Sequence, residues 1–257
     1  MTSINSNIPN DIVSSCSGSD IINVVESQYE IHFNAGINQS SVSTLIEKLI
    51  SLEEKIIKKH KNAKRKLADI EKDDDFDNFK FNIELPPIKL YITSPGGLVY
   101  QVFSLIDTIQ NLRVPVHTIC KGFVASAGTL LSLAGKKRYI TENSYMLIHE
   151  LRAGTWGKYS HMLESIENSK QLMEHIKSYY IARTKLTSAE LEEQLKRDVT
   201  WNAQTCLEKG LVDEIIKSNK DKDKEKKPNE TTNSSSNTSS SSNSSSNSSS
   251  SSSSSSS

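Results

Sequence analysis

The stretch Ile88-Lys89-Leu90-Tyr91-Ile92-Thr93-Ser94-Pro95-Gly96-Gly97 decides the fold. Its first six residues alternate in the manner of a half-buried strand. That strand runs directly into a Pro-Gly-Gly turn. Residues 99–112 then carry Val102, Leu105, Ile106 and Ile109 at helical spacing, with Leu112 near the end. Two glycines at the end of a strand permit positive φ and close approach of a second backbone. They can also leave N–H groups unpaired and aimed outward. An ordinary Pro-Gly turn is the plainer reading of this segment taken alone.

Working outward, the same alternation of strand and helix continues. Val116 to Cys120 is a short apolar strand, and residues 124–134 are small and apolar throughout, which suits a buried helix. Arg138 to Ile140 and Tyr145 to Ile148 read as strands. Lys158 to Thr184 is one long helical pattern. Leu186 to Lys196 is another helix, opened by Thr187 as cap with Glu190 three residues on. A short helix at 203–209 ends at Gly210, and Leu211 to Ile215 closes as a strand. Upstream, Tyr29 to Phe33 alternates as a strand, and Val42, Leu45, Ile46, Leu49, Ile50 and Ile56 mark an amphipathic helix over 41–58. This succession predicts an α/β layer structure.

Residues 59–84 interrupt it with a charged excursion, basic first and acidic second, which suits a solvated helix or loop. Pro86-Pro87 ends the excursion. Residues 1–20 are polar and Ser/Asn-rich. From 218 onward the chain is first Lys/Asp-rich and then almost only Ser, Asn and Thr, with no apolar surface to bury. The expected organisation is therefore a disordered 1–20, one domain over 21–217 carrying the 59–84 insertion, and a disordered 218–257. The domain's roughly 200 residues suffice for one sizeable core.

The chain has 257 residues and a formal net charge of zero, so no global field points to nucleic acid or a membrane. Neither Lys nor Arg occurs before Lys48, which argues against a basic targeting segment. Cys16, Cys120 and Cys206 are far apart and form no pairing or metal-ligand pattern. A reducing, cytoplasmic setting with free thiols is the expectation.

Three residue groups then fit one reaction. Ser126 lies in Gly122-Phe123-Val124-Ala125-Ser126-Ala127-Gly128, His149 ends the apolar run Tyr145-Met146-Leu147-Ile148, and Asp198 follows Lys196-Arg197. A serine hydroxyl becomes a useful nucleophile when a base takes its proton and a third group orients that base. Ser126 sits where a strand passes into a small-residue helix, so the N–H of Ala127 is free to hold an oxyanion, beside the glycine turn. Position 124 is Val, so this is not the Gly-x-Ser-x-Gly elbow. Each residue has a plainer reading alone: a small buried serine, a core histidine, a surface carboxylate.

Taken together, the segments resemble the Clp protease proteolytic subunit family over roughly 29–57 and 88–217. The resemblance rests on Tyr91-Ile92-Thr93-Ser94-Pro95-Gly96-Gly97, Gly122-x-x-Ala125-Ser126-x-Gly128, Leu147-Ile148-His149, and Arg197-Asp198 followed by Gly210-Leu211-Val212-Asp213. It implies Ser126 as nucleophile, His149 as base, Asp198 as orienting acid, the N–H groups of Gly97 and Ala127 as oxyanion donors, and substrate binding along Gly96 and Leu98. A crotonase-like fold of stacked β-β-α units is implied, with a protruding helical arm over 154–184. So are homo-oligomeric stacked seven-membered rings, unfolded polypeptide substrates and an ATP-driven AAA+ unfoldase partner, with no cofactor or metal. Helix 158–184 carries Met162, Ile166, Leu172, Met173, Ile176, Tyr180 and Ile181, which need a partner surface, with Ile176 and Tyr180 expected to face neighbours. Two other readings remain: a crotonase-type acyl-CoA enzyme, which needs no serine, and a non-catalytic or regulatory ring subunit. A Ser/Lys dyad is a third, with no lysine placed for it.

Overall fold

A computed structural model describes residues 23–70 and 84–217. The chain divides into two units, 1–218 and 219–257, and every described residue lies in the first. The expectations for 1–20, for the acidic part of the insertion at 71–83 and for the tail from 218 fall outside the described residues.

Among the described residues, eight strands and six helices form a mixed α/β structure. In order they are β1 (Asn23–Ser27), β2 (Glu30–Asn34), α1 (Gln39–Ile70), β3 (Ile88–Ser94), α2 (Val99–Asn111), β4 (Val116–Ala125) and α3 (Ala127–Ser132). There follow β5 (Lys137–Thr141), β6 (Tyr145–Leu147), α4 (Tyr159–Arg183), α5 (Ser188–Leu195), β7 (Thr200–Asn202), α6 (Ala203–Glu208) and β8 (Glu214–Ile216). The sheet runs β1-β2-β3-β4-β5-β8, parallel throughout except for the β1–β2 hairpin.

Alternation along the strands fixes which face is covered. Ile31, Phe33, Ile88, Leu90, Ile92, Val116 and Cys120 are buried. They meet Val42, Leu45, Leu49, Leu52 and Ile56 of α1 and Val102, Leu105, Ile106 and Ile109 of α2 in one core. Each such aliphatic side chain stabilises the fold by about 1.5–3 kcal/mol when fully buried. The intervening residues face the other way, where His32 and Tyr91, partners across β2 and β3, stack with ring centroids 4.5 Å apart.

Strand β4 is the hinge of the architecture. Its first half pairs with β5 and its second half, Phe123 to Ala125, pairs in parallel with β6. Ile92 faces Cys120 but Ser94 faces Val124, so β4 uses four residues where β3 uses two. Gly122 takes up the bend at φ 67, and its N–H donates to Ser144 Oγ at 2.7 Å. Such a bulge turns a strand out of one pairing and into another.

Several boundaries differ from the sequence reading. Helix α1 does not stop at 58 but continues to Ile70, because residues 57–70 hold Lys, Arg, Ala and Leu and neither Gly nor Pro. Val124 and Ala125, read as helix, belong to β4, and α3 is only Ala127–Ser132. The closing strand is Glu214–Ile216 rather than 211–215. Strands β1 and β7 had no local signal strong enough to read.

Helix α4 corrects the expectation for the arm. Ile176 and Tyr180, expected to face neighbours, are 5 % and 2 % exposed and pack in this chain's own core with Tyr179. The exposed apolar residues lie at the other end: Trp156, Tyr159, Leu163 and Ile166. Thr187 caps α5 in the expected reciprocal arrangement with Glu190.

Candidate active site

Ser126 stands between β4 and α3 at φ 54 and ψ −127, a conformation that a non-glycine residue holds only when its surroundings impose it. Two contacts impose it here. The Ser126 N–H donates to Leu147 O at 2.9 Å, continuing the β4–β6 pairing by one residue. Its carbonyl accepts from the Thr129 N–H at 2.9 Å and from Thr129 Oγ1 at 2.6 Å. Ala127 begins α3, so its N–H has no acceptor within the helix.

The glycine turn after β3 lies against this serine. A side chain at Gly96 would bring a Cβ to 2.6 Å from Ser126 Cβ and 3.0 Å from Ala127 N. Glycine keeps that space open. Gly96 is anchored on both sides, its N–H donating to Ser94 Oγ at 3.1 Å and its carbonyl accepting from Ile37 N–H at 2.7 Å. At Gly97, φ is 147 and a Cβ would stand 2.1 Å from Ile37 O, so no other residue fits. Leu98 donates its N–H to Ile37 O and leaves its side chain 57 % exposed beside the turn.

His149 and Asp198 arrive on the antiparallel β6–β7 pair. Tyr145 faces Asn202, Met146 faces Trp201 and Leu147 faces Thr200. That register ends at Leu147 and Thr200, with His149 two residues beyond β6 and Asp198 two residues before β7. Gln194 holds the pair together at this point: buried on α5, it donates from Nε2 to Ile148 O at 3.4 Å and to Val199 O at 2.9 Å. Each acceptor is the immediate neighbour of one candidate residue. Glu150 N–H donates to Leu195 O at 2.9 Å just beyond.

The side chains do not complete what the backbone prepares. His149 Nδ1 is buried with no hydrogen-bond partner. Asp198 instead accepts from Arg152 Nη2 at 2.5 Å in a solvent-exposed ion pair. Gly96 and Ala127 are thus gathered around Ser126, which is bonded to Leu147 two residues before His149, while Asp198 is paired with the arginine. Gln194 and Arg152 escaped the sequence reading. Gln194 left one signal, a polar residue among Leu191 and Leu195 on the buried side of α5.

Other nucleophiles are poorly placed to compete. Burial pushes the Cys120 and Cys206 thiols up to about 12, which keeps them neutral. Among the described residues, no group of three or more His, Cys, Asp or Glu side chains is gathered to hold a metal, and no helix is long and apolar enough to cross a membrane.

The described sheet and helices form an α/β domain in which the end of β4 presents a serine at positive φ beside the glycine turn after β3. A protein-family model for Clp protease matches residues 81–219, and the chain belongs to that family. The match spans every element from β3 to β8, and so all of the residues gathered above.

Proposed function

We propose that this chain is a serine endopeptidase, the proteolytic subunit of a Clp-type protease. Ser126 attacks the peptide carbonyl, and His149 takes the hydroxyl proton and returns it to the leaving amine. Asp198 holds the imidazole in the productive tautomer, and the N–H groups of Gly97 and Ala127 hold the oxyanion. Gly96 leaves room for the substrate backbone, and the exposed Leu98 offers an apolar edge to a substrate side chain. The observation that supports this reading is the Ser126 N–H bonded to Leu147 O, two residues before His149, with Gly96 and the Ala127 N–H packed around the same serine. In this reading Asp198 exchanges Arg152 for His149 when the site is productive.

The resemblance extends the proposal to assembly. The fold is crotonase-like, and identical subunits stack as two heptameric rings whose chamber admits polypeptide unfolded by an AAA+ partner. The exposed Trp156, Tyr159, Leu163 and Ile166 along the start of the arm supply the apolar surface that ring stacking covers. One observation favours a second reading, a non-catalytic ring subunit: the Asp198–Arg152 pair leaves His149 without its orienting partner. Labelling with a fluorophosphonate probe, followed by mapping of the adduct, decides between them. Adduct on Ser126 supports the peptidase. No adduct on an assembled particle supports the non-catalytic subunit.

A further inference from the structure

We infer that Tyr180, acting through Thr129, is a positioning residue for the oxyanion hole, an inference that rests on Ser126 and Ala127 serving as proposed. The Thr129 hydroxyl donates its single proton to the Ser126 carbonyl at 2.6 Å. The same oxygen is in hydrogen-bond contact with Tyr180 Oη. A hydroxyl has one proton and two lone pairs. With the Thr129 proton committed to Ser126, Tyr180 must be the donor to Thr129. The three groups form one directed chain, Tyr180 to Thr129 to the Ser126 carbonyl.

The chain ends on the peptide that matters. The Ser126 carbonyl and the Ala127 N–H belong to one planar trans peptide, so they point in opposite directions and turn together. Anchoring the carbonyl inward therefore aims the Ala127 N–H outward, past the space that Gly96 keeps open. The anchor is needed because Ser126 sits at φ 54, where an unrestrained serine would not stay. The surroundings make it stiff: Thr129 is fully buried and Tyr180 is 2 % exposed. Burial also pushes the Tyr180 hydroxyl well above its ordinary range, which keeps it a neutral donor. Burial shields these atoms from bulk solvent, and an interior hydrogen-bond chain strengthens each of its members. Tyr180 lies on α4, so the base of the arm reaches the nucleophile's turn through a single side chain.

Thr129→Val, Thr129→Ser, Tyr180→Phe and the Thr129→Val/Tyr180→Phe double variant test this, with kcat and KM for a fluorogenic peptide expressed per folded site. Ki for a peptide boronate, which mimics the tetrahedral state, is read beside them. Thr129→Val and Tyr180→Phe should lower kcat by about 10- to 100-fold and weaken the boronate in proportion, with KM little changed. Thr129→Ser should restore wild-type values because it keeps the hydroxyl. The double variant should be no slower than Thr129→Val, since Tyr180 acts through that oxygen. Wild-type kcat in Tyr180→Phe, or an equal loss in Thr129→Ser, overturns the inference. So does a fall in melting temperature with no change in kcat or boronate affinity, which marks a purely structural pair. Absence of labelling of Ser126 in the wild-type chain instead overturns the peptidase reading, and this inference falls with it.

Discussion

Ser126 is held by Leu147, Thr129 and the packed turn at Gly96, whereas Asp198 is held by one exposed arginine. The first set consists of backbone groups and buried hydroxyls, fixed as soon as the core forms. The second is a pair of long side chains in water, worth about 0–1 kcal/mol at most. On the acid side the backbone is tied as well, since Gln194 bonds the carbonyls next to His149 and Asp198. The serine side is therefore assembled within the single chain, while the histidine and the acid are left without contact to each other.

The largest effects should come from the serine side. Ser126→Ala and His149→Ala should each abolish cleavage of a fluorogenic peptide, a loss on the order of 10⁶ in kcat, with the fold intact. Residual turnover near wild type in either purified variant would remove the triad from consideration.

The acid side can be probed with two substitutions of opposite sense. Asp198→Asn should lower kcat by about 10⁴, the scale seen when an orienting acid is lost. Arg152→Ala removes the competitor instead. It should leave kcat within about twofold and the melting temperature nearly unchanged, since an exposed pair contributes so little. If Arg152→Ala were as damaging as Asp198→Asn, the arginine would be part of the machinery and the comparison would fail.

A separate effect, on stability rather than turnover, lies away from the site, at Asp213. Burial alone would raise its carboxyl. Hydrogen bonds from the Arg138 side chain and backbone N–H outweigh that and hold it below its ordinary value. A carboxylate depressed on folding contributes stability above its unfolded pKa and loses it as pH falls through the folded one. The difference in melting temperature between wild type and Asp213→Asn should therefore be present at pH 6 and shrink below about pH 4. A difference that stays constant down to pH 2.5 means the carboxylate charge contributes nothing.

What the sequence disclosed follows the range of each interaction. The strand read at 88–93 and found at Ile88–Ser94, the Pro-Gly-Gly turn and the Thr187 cap are signals carried by adjacent residues. Strands β1 and β7 exist through pairing with β2 and β6, so their few residues show nothing alone. Helical spacing in α4 marked Ile176 and Tyr180 as buried but could not say against whose surface. The Thr129–Tyr180 contact joins residues 51 positions apart, and no local pattern announces it. Gly96, Gly97, Ser126, Ala127 and His149 were singled out by their combination and the resemblance it carries, since each has a plainer use alone. Arg152 was not, because an exposed arginine has many.

The bulge at Gly122 also sets a rule of parity for this chain. Between its pairings with Ile92 and Ser94 of β3, β4 carries two surplus residues, an even number. An even surplus preserves which face each later side chain occupies, so Val124 still points into the core and the turn at Ser126 still opens toward Gly96. Inserting or deleting one residue between Cys120 and Val124 would exchange inside for outside at every position up to the serine. Adding or removing a pair would only lengthen or shorten the bend. Length variation in this segment is thus permitted in steps of two, like a stitch pattern that survives only whole repeats.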